Sequence, residues 1–104
     1  MAAYVIEQKD GQGRVTLEGD LTAITVPELQ AALRKVLQQG ASELEFDLTR
    51  AAILDSSGMG LLIAAANSLA PQGGQVRVTN VAPDIFRLLQ GMRLTTRLNV
   101  SRRA

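Results

Sequence analysis

The chain has 104 residues, 46% hydrophobic and 20% charged, with a formal net charge of +1. That is one domain's worth of sequence, with enough apolar residues to build a core and too many for a disordered chain. Cysteine and histidine are both absent, which excludes disulfides, thiol nucleophiles, thiolate metal sites and every Ser-His-Asp triad. No basic start followed by an apolar run marks a signal peptide. No apolar segment approaches the roughly 18 residues of a membrane span, so the expectation is a cytoplasmic protein with no membrane insertion.

In chain order, "YVIEQ" and "RVTLEGDL" are β-leaning runs joined by "KDGQG", a strong hairpin signal. Gly11 and Gly13 belong to the turn, because no helix follows them to make a nucleotide loop. "TVPELQAALRKVLQQG" is the clearest helix. Thr25 and Glu28 are spaced as a capping box, and Pro27 sits in the first turn, where proline is tolerated. Val26, Leu29, Leu33, Val36 and Leu37 make one apolar stripe, and Gly40 supplies the stop. "ELEFDL" alternates, with Leu44, Phe46 and Leu48 on one face, and reads as a strand.

After the short apolar run "AAIL" comes "DSSGMG", and then "SGMGLLIAAANSLA" as a second helix closed by Pro71 and "QGG". "QVRVTNV" is a further strand, and Pro83 and Asp84 open a third helix whose predicted buried stripe is Ile85, Leu88, Leu89 and Met92. "RLNV" adds an edge strand, and the basic "SRRA" of 101–104 is expected to fray. Strands alternating with helices after an initial hairpin predict one α/β domain over 1–104 with a mixed sheet.

The second helix is unusual. Leu61 to Ala66 leave it no polar face until Asn67 and Ser68, so it is either fully buried or offers an apolar surface to a partner. It also opens with Gly58 and Gly60, each costing about 1 kcal/mol against alanine in a helix interior. A first turn without side chains lets another molecule approach the backbone closely. "GMGLLI" lacks the third glycine of a dinucleotide fingerprint, and no Gly-Lys-Ser/Thr follows as in a P-loop. Ser56 and Ser57 have no histidine or nearby lysine to act as base, so catalysis is not expected, nor is any cofactor or metal. Asp55, Ser56 or Ser57 would each serve as a helix cap. Capping does not account for two hydroxyls, two glycines and an uninterrupted apolar face together. That combination describes a hydroxyl displayed at the rim of a docking surface, where a phosphate of about −1.5 to −2 charges would be tolerated by the helix N-terminus but not by an apolar interface.

Charge is unevenly distributed. Residues 1–55 carry five Lys/Arg and nine Asp/Glu, a balance of −4, whereas residues 56–104 carry six arginines against Asp84 alone, a balance of +5. The arginines are spaced out and aromatics are nearly absent, so a solvated basic face is the better reading than a nucleic-acid surface.

"DSSGMG", preceded by "FDLTRAAIL" and by an upstream "LEGDLT", resembles the STAS domain of bacterial anti-sigma-factor antagonists. The resemblance spans essentially the whole chain. It implies a mixed sheet of about four or five strands with helices packed mainly on one side, and a partner-switching role. An unphosphorylated antagonist of this family binds an anti-sigma factor that is also a serine kinase; phosphorylation releases it, and a metal-dependent serine phosphatase restores it. Carried over by motif position, the phosphoacceptor is Ser57, Asp55 and Ser56 shape the recognition surface, and Gly58, Met59, Gly60 and Leu61 lie along the partner. Many phosphorylated members carry an acidic or amide residue where "GDLT" has Thr22, which is also placed at the partner surface. The alternative is a STAS module that docks permanently in a transport or stress-sensing complex, its serines serving only as caps. An enzyme or small-ligand binder is a third reading, opposed by the missing histidine, cysteine and paired acids.

Overall fold

The computed structural model describes residues 3–103. β1 (Tyr4–Lys9) and β2 (Gln12–Leu17) pair antiparallel, with Lys9 opposite Gln12 across a two-residue turn. Asp10 and Gly11 have φ of 53° and 80°. Positive φ at both positions is the type I′ geometry whose twist suits a hairpin, as "KDGQG" predicts. α1 (Val26–Gln38) follows, with Leu29, Leu33 and Val36 buried and Val26 and Leu37 packed against the core from its margin. The capping box does not form. Thr25 has helical backbone angles and makes no side-chain cap bond; its hydroxyl is taken up by the preceding turn, accepting from Thr22 N at 3.1 Å and lying 3.1 Å from the Asp20 carbonyl oxygen.

β3 (Glu43–Asp47) leads through a loop into α2 (Ser56–Leu69), which tightens into a 3-10 turn over Ala70–Gln72 around Pro71. β4 (Gln75–Val81), α3 (Pro83–Gly91) and β5 (Val100–Arg102) complete the chain. Two expectations are corrected here. In α3 only Ile85 and Leu89 are buried, whereas Leu88 and Met92 are 39% and 57% exposed. They lie on the flank and at the end of a helix that covers the sheet's margin. The last strand runs Val100–Arg102, so Ser101 and Arg102 lie within it, with Arg102 opposite Val81, and Arg103 N still donates to Val81 O at 2.9 Å. Ala104 lies outside the described residues.

The five strands lie in the order β1-β2-β3-β4-β5, with every pair parallel except the hairpin. Successive right-handed crossovers in one direction put α1, α2 and α3 on the same face. The burial of the strands shows it: Val15, Leu17, Leu44, Phe46, Val76 and Val78 point into the core, and their neighbours do not. Near the end of β4 the register to β5 shifts, and Asn80 adopts φ 58° so that Val81 returns to the core. The resulting α/β fold is a five-stranded mixed sheet with helices on one side. No helix among the described residues is long and apolar enough to cross a membrane.

The uncovered face is polar, and Asp47 is its one buried charged group among the described residues. Asp47 accepts from Arg14 Nη2 at 2.8 Å, from Thr49 N and Oγ1 at 2.9 and 2.6 Å, and from Asn80 Nδ2 at 3.1 Å. Burial pushes this carboxyl up, but the donors of Thr49, Arg14 and Asn80 outweigh it and hold its pKa well below the usual carboxylate range.

Candidate functional site

The loops that follow β2 and β3 lie side by side at the C-terminal ends of parallel strands, where α/β sheets commonly place their binding surfaces. They are stitched together by backbone and side chain. Leu21 and Leu54 form a parallel bridge, with Leu21 N donating to Ile53 O at 3.1 Å and Asp55 N to Leu21 O at 3.3 Å. Asp20 Oδ1 accepts from Ala52 N and Ile53 N at 2.9 and 3.0 Å. Asp20 is therefore the strap between the loops and is not presented toward the start of α2.

Asp55 is the N-cap of α2. Its Oδ1 accepts from Gly58 N at 2.9 Å and its Oδ2 from Ala23 N at 3.0 Å, so one carboxylate closes the helix and holds the other loop. The Gly58 and Ala23 amides keep its pKa below the ordinary carboxylate value. With Asp55 as the cap, the two serines are spared that task. Ser56 is exposed and Ser57 half-buried at the first and second helical positions, and neither hydroxyl has a hydrogen-bond partner among the described residues.

Two of the residues assigned to the partner surface by sequence belong to the interior. Gly58 is buried: a Cβ there would stand 2.4 Å from Leu21 O and 2.6 Å from Leu54 Cδ1. Its missing side chain lets the first turn of α2 rest on the neighbouring loop's backbone and leaves nothing open to a visitor. Leu61 is likewise part of the core. Gly60 is exposed, with nothing within 4 Å of a Cβ. Met59 is half-buried against the core. Thr22 is half-buried too, and its Oγ1 accepts from Ile24 N at 3.3 Å, which shapes the turn in place of a charged group.

The helix that is apolar all round resolves into two faces. Gly58, Leu61, Leu62, Ala65 and Leu69 are buried, while Ser56, Gly60, Ala64, Asn67 and Ser68 form a ridge of small exposed residues. The structure adds two residues that the sequence reading missed, Ile24 and Ile53, exposed by 90% and 55% on the two stitched loops. An isoleucine in "TAITVP" or "AAIL" carries no periodic signal, and only the juxtaposition of the loops makes the pair visible. Most arginines of the basic half have separate partners. Arg102 stacks 4.8 Å from the Phe86 ring centroid, Arg103 donates to Thr49 O, Arg87 pairs with Asp84, and Arg97 bonds Asn67. No group of His, Cys, Asp and Glu among the described residues is arranged to hold a metal ion.

A family model described as Mlab, STAS domain, matches residues 5–100. The anti-sigma-B factor antagonist of Staphylococcus aureus strain NCTC 8325 is 29% identical over 76 residues, covering 73% of this chain and 70% of that protein. An anti-sigma factor antagonist from Mycobacterium paratuberculosis superposes with a TM-score of 0.80 at 25% identity, over 93% of this chain and 82% of the other. The Bacillus cell fate determinant SpoIIAA in its phosphorylated form gives a TM-score of 0.77 at 23% identity, over 95% and 91%. With the family model matched over residues 5–100, nearly the whole chain, the chain belongs to the STAS domain family.

Proposed function

We propose that this chain is a cytoplasmic anti-sigma-factor antagonist switched by phosphorylation of Ser57. The observation that carries the reading is the division of labour at the start of α2. Asp55 satisfies Gly58 N and leaves the Ser57 hydroxyl without a hydrogen-bond partner among the described residues, one turn before the bare Gly60 and on the helix that opens from the stitched loops carrying the exposed Ile24 and Ile53. Support comes also from relatives that bear the name anti-sigma-B factor antagonist and from a structural neighbour determined in a phosphorylated form. In the unmodified state the α2 ridge with Ser56, Met59 and Gly60, together with Thr22 and Ile24, docks on an anti-sigma factor that is itself a serine kinase. Ser57 Oγ attacks the γ-phosphorus of ATP, the bond from that phosphorus to the β,γ-bridging oxygen breaks, ADP leaves, and the hydroxyl proton passes to solvent. The dianion is accommodated by the free N–H groups and dipole of α2, so the fold persists. It also lies beside the carboxylate of Asp55 and at an apolar contact, which costs the complex its affinity. A metal-dependent serine phosphatase returns the chain to its binding state.

The test is titration calorimetry against the cognate kinase. Ser57→Ala is expected to retain binding and Ser57→Asp to weaken it by at least about tenfold, on the order of 1.4 kcal/mol, with both variants folded by circular dichroism. Equal affinities would defeat the proposal. A second reading, a STAS module that docks permanently, is favoured by the matching model's description, which names Mlab and no antagonist. Intact mass after incubation with a kinase that binds the chain, plus ATP, separates the two: a gain of one phosphate supports the switch, and no gain supports permanent docking.

A further inference from the structure

Among the described residues, the outer edge of β1 has no neighbouring strand. In a two-residue I′ hairpin the residues flanking the turn exchange hydrogen bonds, so Lys9, Glu7 and Val5 direct their peptide groups at β2. Tyr4, Ile6 and Gln8 then direct theirs outward, and no hydrogen bond among the described residues satisfies them. The same edge borders a groove of about 510 Å³ between β1 and the outer flank of α1. Its floor is Tyr4 and Ile6, half-buried because α1 does not reach over them, and its wall is Glu28, Ala31, Ala32 and Lys35.

From this geometry we infer that β1 pairs with β1 of a second copy, antiparallel about a two-fold axis at Ile6, to make a ten-stranded sheet. Three observations select this occupant and this register. Side chains must keep to their own face of a continuous sheet, so an antiparallel partner sits in steps of two. The step centred on Ile6 sets Ile6 opposite Ile6, Tyr4 opposite Gln8 and Val5 opposite Glu7, and every outward peptide group from Tyr4 to Gln8 finds a partner. The step centred on Glu7 instead sets Glu7 against Glu7, a repulsive pair. The wall of the groove is itself self-complementary. α1 runs in the same direction as β1, with Tyr4 Oη 3.5 Å from Glu28 O and Gln8 Nε2 3.5 Å from Gln39 O. The two-fold that reverses β1 therefore reverses α1, and the Glu28 end of one groove wall is set toward the Lys35 end of the other, on both sides of the axis. Neither charge has an ion-pair partner within the chain among the described residues. The two alanines leave room for the Tyr4 and Ile6 side chains of both copies to fill the joined groove. None of these residues belongs to the Asp55 turn, so the inference does not depend on the switch proposed above.

A short edge and one groove bury less than a standard interface, so the dimer is expected to be weak, with a Kd on the order of 10–100 μM. Sedimentation velocity of the full chain from about 5 to about 500 μM is expected to show a monomer–dimer equilibrium across that range. Gln8→Pro deletes an outward N–H and leaves the β1–β2 ladder intact; it is expected to raise Kd at least about tenfold. Glu28→Lys, at an exposed position that does not endanger folding, is expected to do the same, and the swap Glu28→Lys with Lys35→Glu to restore association. A wild-type chain that stays monomeric throughout, association indifferent to Gln8→Pro, or a swap that fails to restore it each overturns the inference. If the chain is monomeric while Gln8→Pro weakens binding to the cognate kinase, the edge takes a strand of that partner and the second copy is excluded.

Discussion

Asp55 decides the chemistry of its neighbours by being the better cap. Of "DSS", the sequence leaves all three residues as candidate caps, and only the distances settle that the acid takes Gly58 N and Ala23 N while the hydroxyls take no partner among the described residues. The two glycines that follow look alike in sequence and are opposite in structure. At Gly58 a methyl group meets the Leu21 carbonyl, and overpacking of a close backbone contact costs about 1–3 kcal/mol. At Gly60 it meets nothing, and alanine gains up to about 1 kcal/mol of helix propensity. Gly58→Ala is therefore expected to lower the urea midpoint and Gly60→Ala to raise it. A fall in both would show that the first turn of α2 needs flexibility at each. No pattern in one sequence distinguishes a glycine kept for a neighbour's backbone from one kept for a partner's, because the neighbour arrives from 37 residues upstream of Gly58, at Leu21.

Among elements, the parts that repeat were legible and the parts that depend on a neighbour were not. The hairpin, α1, β3, α2 and β4 each have a period, a stop or a turn dipeptide of their own. β5 has none: Val100–Arg102 is a strand only because β4 lies beside it, with Val78 opposite Val100 and Val81 opposite Arg102. The predicted stripe of α3 is too wide for a similar reason, since periodicity tells which residues share a face and not how far the sheet extends beneath them. β3 ends in Asp47, whose role was invisible because its donors come from β2, β4 and the following loop. A carboxyl whose folded pKa is depressed adds stability above the ordinary carboxylate range and loses it as pH falls through that range toward the folded value. Asp47→Asn is expected to cost about 2 kcal/mol at pH 7, where it removes charge-assisted hydrogen bonds. The gap from wild type, followed by urea unfolding, is expected to shrink as pH falls below about 5. A gap that does not change with pH would mean that the carboxylate's charge does not stabilise this fold.

At the scale of the molecule, one side of the sheet is oil and the other is charge. Glu43, Glu45 and Asp47 stand on the open face of the central strand, flanked in register by Arg14 on β2 and Arg77 on β4. Arg14 binds Asp47 at 2.8 Å and Arg77 lies 3.5 Å from Glu45. Before those arginines are in place, "ELEFDL" is a short β-prone segment with Leu44, Phe46 and Leu48 on its other side, the composition that stacks into fibrils. Identical copies stacked in register would lay carboxylate on carboxylate about every 4.8 Å. The acids that the finished sheet neutralises thus guard the nascent chain against its own copies. Heat-unfolded Glu43→Gln/Glu45→Gln protein is expected to bind thioflavin at neutral pH sooner than wild type, and equal onset times would overturn the idea.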